Sequence, residues 1–148
     1  MADRLLNDQV AGQVKQVFER LNHPVHVILF GSQSACEYCE DTQQLLTEVT
    51  DLSDKLSLEV LDLEKDRETA SKYRVDKAPG FVLLAKDSEK LVDYGVRLFG
   101  IPSGHEFSTL IHDLILVSGR DSQLNPNTRE YLAGLKEPVH LQVFVTPT

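Results

Sequence analysis

A short apolar run is followed, within a few residues, by the two cysteines of the chain. Residues 25–30 (VHVILF) are apolar apart from His26, a pattern typical of a strand buried on both faces. Cys36 and Cys39 come next in C-x-x-C spacing, where a helical pattern begins near Glu37. A strand, a short loop and a helix starting at C-x-x-C form the layout of a thiol–disulfide redox site. The order therefore indicates an α/β unit with both cysteines at a helix N-terminus.

The N-terminus of a helix stabilises the thiolate form of a cysteine. Its first N–H groups have no partner within the helix, and the helix dipole is positive there. Because the thiolate is the reactive form, this position favours Cys36 as the nucleophile. Cys39 lies one turn further along, where it is able to attack a mixed disulfide formed at Cys36.

Composition excludes several classes of function. The chain has 148 residues, 41% of them hydrophobic, which suits one ordinary domain with a real core. Its net charge of −8 argues against nucleic-acid and anionic-membrane partners. Neither a secretory leader nor a stretch long enough to span a membrane is recognisable. We therefore expect a cytoplasmic protein, in which a cysteine pair is more often redox-active or metal-binding than structural.

Hydrophobic periodicity predicts alternating helices and strands. The predicted strands cover residues 25–30, 58–63, 80–85 and 91–99, and the helices cover residues 7–22, 37–52, 64–73 and 103–119. Ser103 and Glu106 have the spacing of a capping box at the start of the last of these helices. The order α-β-α-β-α-β-β-α predicts one compact α/β unit over residues 1–119.

The remaining residues, 120–148, resemble the beginning of a second unit. A polar linker is followed by a predicted helix over residues 126–135 and a predicted strand over residues 139–145. Residues 135–144 match residues 21–30 at five of ten positions, with helix, proline and strand in the same order. We interpret this match as an internal repeat whose second copy stops just before a counterpart of Cys36.

Several stretches of the chain are more specific than C-x-x-C alone: CEYC at 36–39, DKLS at 54–57, YRVDKAP at 73–79, FGIPSGHEF at 99–107 and VFVTPT at 143–148. Together they resemble the glutaredoxin-like protein disulfide oxidoreductases of thermophilic bacteria and archaea. Members of that family resemble two thioredoxin-fold units in tandem, each with its own C-x-x-C. The resemblance implies a thioredoxin-like fold, with a central mixed four-stranded sheet flanked by helices. It further implies that this chain is the first unit plus the opening helix and strand of a second.

The resemblance also implies roles for individual residues. It implies that Cys36 is the nucleophile, that Cys39 is the resolving cysteine and that Pro79 is a cis-proline beside them. A cis bond there would leave the Ala78 backbone groups free to pair with an incoming peptide strand. Tyr38 is interpreted either as a substrate-contacting rim residue or as a helix-surface aromatic.

Three positions depart from the pattern of thioredoxins. Many of them place a buried carboxylate behind the cysteines with a lysine nearby, and alignment of the first strand puts Phe30 and about Val60 there instead. Glu37 lies between the cysteines, where its negative charge opposes formation of the Cys36 thiolate. The hypothesis is a moderately reducing pair rather than a strong oxidant.

Less specific interpretations stay open at this point. Cys36 and Cys39 could be inert buried thiols or half of a zinc site, although zinc prefers four ligands and the histidines are scattered. His26 and His140 fit packed or solvent-facing positions better than catalytic ones. The charged run at residues 64–68 is interpreted as solvated surface.

The function predicted from these residues is thiol–disulfide exchange on protein substrates. It requires no metal or organic cofactor, and electrons are exchanged with a thiol reductase or a small thiol. The alternative is a redox-weak docking or dimerisation module whose main active site lies in a second unit. That alternative rests on the predicted strand at residues 139–145, because an unpaired edge strand invites pairing with another chain, including a second copy.

Overall fold

Four strands form one mixed sheet at the centre of the molecule, a computed structural model that describes residues 3–146. The strands are β1 (Val25–Gly31), β2 (Leu56–Asp62), β3 (Gly80–Asp87) and β4 (Lys90–Phe99), in the spatial order β2-β1-β3-β4. β2 is parallel to β1, whereas β3 is antiparallel to both β1 and β4. These pairings confirm the predicted parallel second strand and the predicted hairpin of the third and fourth strands.

Helices cover both faces of the sheet. They are α1 (Asp8–Phe18), α2 (Cys39–Thr50), α3 (Arg67–Lys72) and α4 (His105–Gly119), followed by α5 (Pro126–Ala133) in the C-terminal segment. Alternate residues of β1 and β3 enter two separate apolar clusters, one shared with α1, α2 and α4 and the other with α3. The central strands are therefore apolar on both faces, as a sheet covered on both sides requires. This architecture is a thioredoxin-like fold, which confirms the predicted fold class.

Several predicted boundaries differ from the observed ones. Helix α1 ends at Phe18 rather than at residue 22, because the chain passes into turns before Pro24. The predicted capping box is wrong: Gly104, with φ of 60°, caps α4, and no side chain caps this helix. The Glu106 amide instead donates to the Ser103 carbonyl at 3.2 Å. A glycine adopts this backbone conformation without the steric cost that a side chain adds.

The predicted strand over residues 139–145 does not form. Helix α5 buries none of its residues, and residues 139–145 are exposed and have no regular secondary structure. An isolated strand has no ladder of hydrogen bonds, so its apolar pattern alone does not hold it in place. The last two residues of the predicted second unit lie outside the described range. Within residues 3–146, none of the helices is long and apolar enough to traverse a bilayer.

Candidate functional site

Cys36 and Cys39 are joined by a disulfide at the beginning of α2. Their Cα atoms are 5.4 Å apart, and both residues are half-buried. Helix α2 starts at Cys39 itself, two residues later than predicted, so Cys36 lies in the turn just before the helix. A Cβ atom on Gly31 would lie 3.8 Å from the Cys39 Sγ. The disulfide therefore lies at the C-terminal end of the central strand β1.

The first turn of α2 has backbone donors without acceptors. The amide of Thr42 donates to the Tyr38 carbonyl at 2.9 Å, which is the first backbone hydrogen bond of the helix. Within residues 3–146, no acceptor is recorded for the amides of Cys39, Glu40 and Asp41. These donors and the positive end of the helix dipole favour a negative charge on the sulfur atoms. The exposed side chains of Glu40 and Asp41 oppose it.

The segment before β3 lies at the same end of the sheet. Phe30 of β1 pairs with Gly80 of β3, so the adjoining residues Gly31 and Pro79 reach the same edge. The Ala78–Pro79 peptide bond is cis. Ala78 is half-buried, and no hydrogen bond of residues 3–146 uses its backbone N–H or C=O. The topology thus brings three of the predicted site residues, Cys36, Cys39 and Pro79, to one end of the sheet, with Ala78 beside them.

Gly80 holds this segment close to its neighbours. A Cβ atom at Gly80 would lie 2.6 Å from the Lys77 carbonyl oxygen and 2.9 Å from Cγ1 of Val75. Both distances are too short for a real side chain, and the first involves backbone that cannot rotate away. A glycine is needed here because the chain passes so near itself, which sets the position of Ala78 and Pro79.

A hydrogen-bond network that sequence reasoning missed holds the loop before Cys36. The Glu64 carboxylate accepts from the Ser32 hydroxyl at 2.7 Å and from the Ser34 hydroxyl at 3.2 Å. Lys65 donates to the Gln33 side chain at 3.0 Å. The interpretation of residues 64–68 as merely solvated surface is therefore incomplete. The charged run itself offered no signal for this role, because the partners lie about thirty residues away in sequence.

The loop that carries Glu64 is itself fixed to β1. The Leu63 amide donates to the Gly31 carbonyl at 2.8 Å. The Asp62 carboxylate accepts from the amides of Lys65 and Glu64, each at 3.0 Å. The Lys65 amide, with help from Glu64, holds the pKa of the Asp62 carboxyl below its ordinary value. The loop after β2 and the loop before the disulfide thus form one connected surface.

The other residues singled out from the sequence lie in different surroundings. Tyr38, between the cysteines, is 48% exposed, which leaves its ring accessible at the rim of the site. Phe30 is fully buried in the apolar cluster beneath α3, and Val60 is 42% exposed on the edge strand β2. His26 lies at the opposite end of β1, where its ring nitrogens bond to Ser57 and Glu59 at 2.7 and 3.1 Å. His26 is therefore packed away from the disulfide.

The described part of the chain offers no cluster of side chains that could bind a metal ion. Within residues 3–146, no group of three His, Cys, Asp or Glu side chains is placed to hold a metal ion. The two sulfur atoms that a half-site for zinc would use are bonded to each other.

Two solved structures resemble most of this chain. A protein disulfide oxidoreductase from Aeropyrum pernix superposes with a TM-score of 0.84 and 28% identity, over 99% of this chain and 62% of that one. The NTD_N/C domain of the alkylhydroperoxide reductase AhpF from Enterococcus faecalis superposes with a TM-score of 0.77 and 25% identity. That match covers 89% of this chain and 62% of the other. Both likenesses extend over most of this chain but over less than two thirds of the other protein.

Curated sequences show the same relationship. The F component of alkyl hydroperoxide reductase from Staphylococcus aureus is 28% identical over 144 residues, which is 97% of this chain. The corresponding protein from Staphylococcus epidermidis is 25% identical over the same length. This chain spans about a quarter of the length of these relatives. No protein-family model matches the chain.

Proposed function

We propose that this protein catalyses thiol–disulfide exchange on protein substrates. The observation that carries the proposal is the Cys36–Cys39 disulfide at the start of α2, beside three backbone amides for which no acceptor is recorded within residues 3–146. Two sulfurs that form a disulfide within one chain are close enough to exchange bonds with a third sulfur. The likeness to disulfide oxidoreductases supports the same reaction.

The proposed reaction transfers two electrons between the protein and its substrate. In the reduced protein, the Cys36 thiolate attacks one sulfur of the substrate disulfide, and the other substrate sulfur leaves as a thiolate that takes up a proton. Cys39 then loses its proton and attacks Cys36 Sγ in the mixed disulfide, which releases the second substrate thiol. The Cys36–Cys39 disulfide is restored, and a dithiol from a reductase or a small thiol reduces it in turn.

Three residues are proposed to position the substrate. The backbone N–H and C=O of Ala78 pair with an extended substrate segment, because they have no partner in the described chain. The cis peptide at Pro79 presents them at the same end of the sheet as the disulfide. Tyr38, which is about half exposed, contacts the substrate at the rim of the site.

We further propose that the chain is the first unit of a tandem arrangement together with the opening segment of the second unit, as in the protein disulfide oxidoreductases of thermophiles. The match between residues 21–30 and 135–144 supports a second unit that begins in the C-terminal segment. The partners are protein disulfides or dithiols and a thiol reductase, and the reducing cytoplasm is the compartment in which such a couple cycles.

The test is reduction of insulin disulfides by the wild-type protein and by two variants. Cys36→Ser should abolish reduction, whereas Cys39→Ser should accumulate mixed disulfides that a non-reducing gel displays. Ala35→Ser leaves both sulfurs and the bonds of Glu64 in place and is the matched control for a serine substitution in the same loop. Full activity in both cysteine variants would contradict the proposed mechanism.

A redox titration measures the reduction potential of the Cys36–Cys39 couple. Equilibration of the thiols against a glutathione series should show one reversible two-electron transition. Glu37 between the cysteines, with Glu40 and Asp41 in the first turn, opposes the thiolate that makes a strong oxidant. A potential as high as roughly −120 mV, typical of periplasmic oxidases, would contradict a moderately reducing pair.

The exposed C-terminal segment favours a second candidate, a docking or dimerisation module. Leu141, Val143 and Phe144 are each more than four-fifths exposed, which is unusual for apolar side chains in a row. This alternative predicts a dimer that the Leu141→Asp substitution dissociates, and sedimentation equilibrium tests it. A monomer at all concentrations, together with a reversible disulfide, leaves the enzyme as the better proposal.

A further inference from the structure

An open groove runs along α3 next to the proposed redox site. Its volume is about 520 Å³, and its walls combine two arginines, Arg67 and Arg74, with Ser71 and apolar side chains that include Leu63 and Val75. An extended peptide with a few polar groups fits a groove of this size and composition.

Two contacts fix the groove beside the disulfide and the cis-proline. The amide of Leu63, a residue of the groove wall, donates to the carbonyl of Gly31, where an added Cβ would lie 3.8 Å from the Cys39 sulfur. Val75, another residue of the groove wall, lies against Gly80, directly after Pro79. Val75 and Asp76 of the groove wall are three and two residues from Ala78, so a chain that pairs with Ala78 lies within a few residues' length of the groove.

The guanidinium groups in the groove are not neutralised. Within residues 3–146 neither Arg67 nor Arg74 forms an ion pair, and the bond recorded for the Arg67 side chain goes to the Glu64 carbonyl at 3.1 Å. The carboxylate in the groove wall, Asp76, is already engaged by Lys77 at 2.9 Å. Both arginines are exposed, so their charged groups face solvent at the groove.

The carboxylate on the other side of Arg74 is also occupied. Arg74 is near enough to Asp93 to help hold the pKa of that carboxyl below its ordinary value, although the Arg97 hydrogen bonds contribute most. Arg97 holds the two Asp93 oxygens at 2.6 and 2.8 Å. An incoming carboxylate therefore meets little competition for Arg74.

The start of α2, which packs on the other face of the sheet from α3, carries acidic groups without a basic one among them. Glu37, Glu40 and Asp41 are exposed around the start of α2, in a chain whose net charge is −8. A substrate with acidic residues on one side of its cysteine would be repelled from α2 and attracted to the groove. The charge pattern thus orients a substrate as well as binding it.

We propose that Arg67 and Arg74 bind acidic side chains of the substrate protein that flank its reactive cysteine on one side. The proposal rests on the proposed function, since it assigns the substrate class of the same site. Each exposed charge pair contributes modestly and is weakened by salt, so the preference should be moderate and dependent on ionic strength.

The experiment measures one turnover of the pre-reduced protein. Three peptides each carry one cysteine as a mixed disulfide with a coloured aryl thiol. The first has two glutamates before the cysteine, and the second has two glutamates after it. The third, neutral peptide has glutamines at all of these positions. Cys36 attacks the peptide sulfur, the aryl thiolate leaves with the bonding electrons, and its absorbance reports the second-order rate constant. No reductase is needed.

The expected result is that one of the two acidic peptides reacts about five-fold faster than the neutral peptide at low salt, an advantage that vanishes at high salt. Arg67→Gln with Arg74→Gln should bring that ratio close to one. The control, Lys15→Gln with Arg20→Gln, removes the same charge from exposed residues of the α1 region on the other face of the sheet and should keep the ratio.

The possible outcomes distinguish a failure of this proposal from a failure of the proposed thiol–disulfide exchange. If the neutral peptide reacts but neither acidic peptide is preferred, or both control and groove variants lose the preference equally, the groove does not bind acidic residues. If the neutral peptide itself does not react with the reduced wild-type protein, the proposed function fails instead.

Discussion

Two segments of this chain share a sequence pattern and have opposite structures. Residues 21–30 contain the turn into β1, an inner strand of the sheet, and most of that strand, and residues 135–144 repeat five of those ten positions. Phe30 is fully buried, whereas Phe144, at the matching position, is 89% exposed. The difference teaches that an apolar strand pattern produces a strand only where neighbouring strands and helices are present to pair with it and cover it.

The folded unit surrounds the first copy on every side. β1 pairs with β2 and β3, and its alternate side chains enter the clusters on both faces of the sheet. In the second copy, the residues before and after the proline are exposed, and α5 presents no buried face to them. Three matched pairs of substitutions and one truncation test whether stability follows this division.

The largest effect should come from the matched phenylalanines. Phe30→Ala removes a fully buried ring and should lower the free energy of unfolding by about 3–5 kcal/mol. Phe144→Ala should change it by less than about 0.5 kcal/mol, since its ring is already in water. Urea denaturation followed by circular dichroism measures both. Equal losses would show that the second copy is packed in solution.

The next effect concerns two serines that bond to backbone. Ser118 is buried, accepts from the amides of Asn22 and His23 at 2.8 and 3.0 Å, and donates to the His23 carbonyl at 2.7 Å. Ser118→Ala leaves these groups without a partner and should cost about 1–3 kcal/mol.

The matched change in the C-terminal segment is Ser122→Ala. Ser122 is exposed and accepts one bond from Leu124 at 3.3 Å, so its loss should be hard to detect. Thermal unfolding of both variants provides the comparison, and a wild-type Tm for Ser118→Ala would contradict the buried network.

A smaller, pH-dependent effect distinguishes two ion pairs. The Arg97 hydrogen bonds hold the pKa of Asp93 below its ordinary value, against the raising effect of its partial burial. Because the pKa of Asp93 is lower in the folded state than in the unfolded state, the ion pair stabilises the fold at any pH above the unfolded pKa, near 4. This stabilisation is lost as the pH falls through the pKa of the folded state.

Asp93→Asn should therefore cost about 0.5–1 kcal/mol at neutral pH, after allowance for solvent screening, and almost nothing at acid pH. Asp121→Asn removes the ion pair between Asp121 and Arg129. Because both of these side chains are about half exposed, the substitution should have no measurable effect on stability. Chemical denaturation at neutral and acid pH compares the two. An undiminished loss for Asp93→Asn at acid pH would contradict the assignment.

The smallest effect should follow removal of the segment itself. A chain ending at Ser122 keeps all the buried apolar residues of both clusters. Its Tm should stay within about 2 °C of the full chain, with one cooperative transition. A large fall in Tm, or loss of cooperativity, would show that residues 123–148 belong to the folding unit, contrary to the predicted boundary near residue 119.

Sequence patterns located most of the sheet and the cysteine pair. Period-two and continuous apolar runs placed β1, β3 and β4 within a few residues, because burial on a sheet face is encoded locally. The start of α4 was misplaced because Ser103 and Glu106 match a capping box by spacing, whereas the conformation of Gly104 decided where the helix begins.

The surroundings of the disulfide were less accessible to sequence reasoning. The bonds of Glu64 to Ser32 and Ser34 join two loops that are adjacent only because β1 and β2 are parallel neighbours. The same adjacency creates the groove with Arg67 and Arg74. No local pattern marks such contacts, since each residue on its own looks like an ordinary surface residue.

The sequence by itself determined that an apolar strand leads into C-x-x-C at a helix start, because periodicity and residue spacing are local properties. It also determined the acidic charge around Cys36. Only the tertiary structure decided that residues 25–30 become the centre of a sheet while their repeat at 139–144 stays exposed. Pairing and covering are contributions of distant segments, so one pattern has two outcomes in one chain.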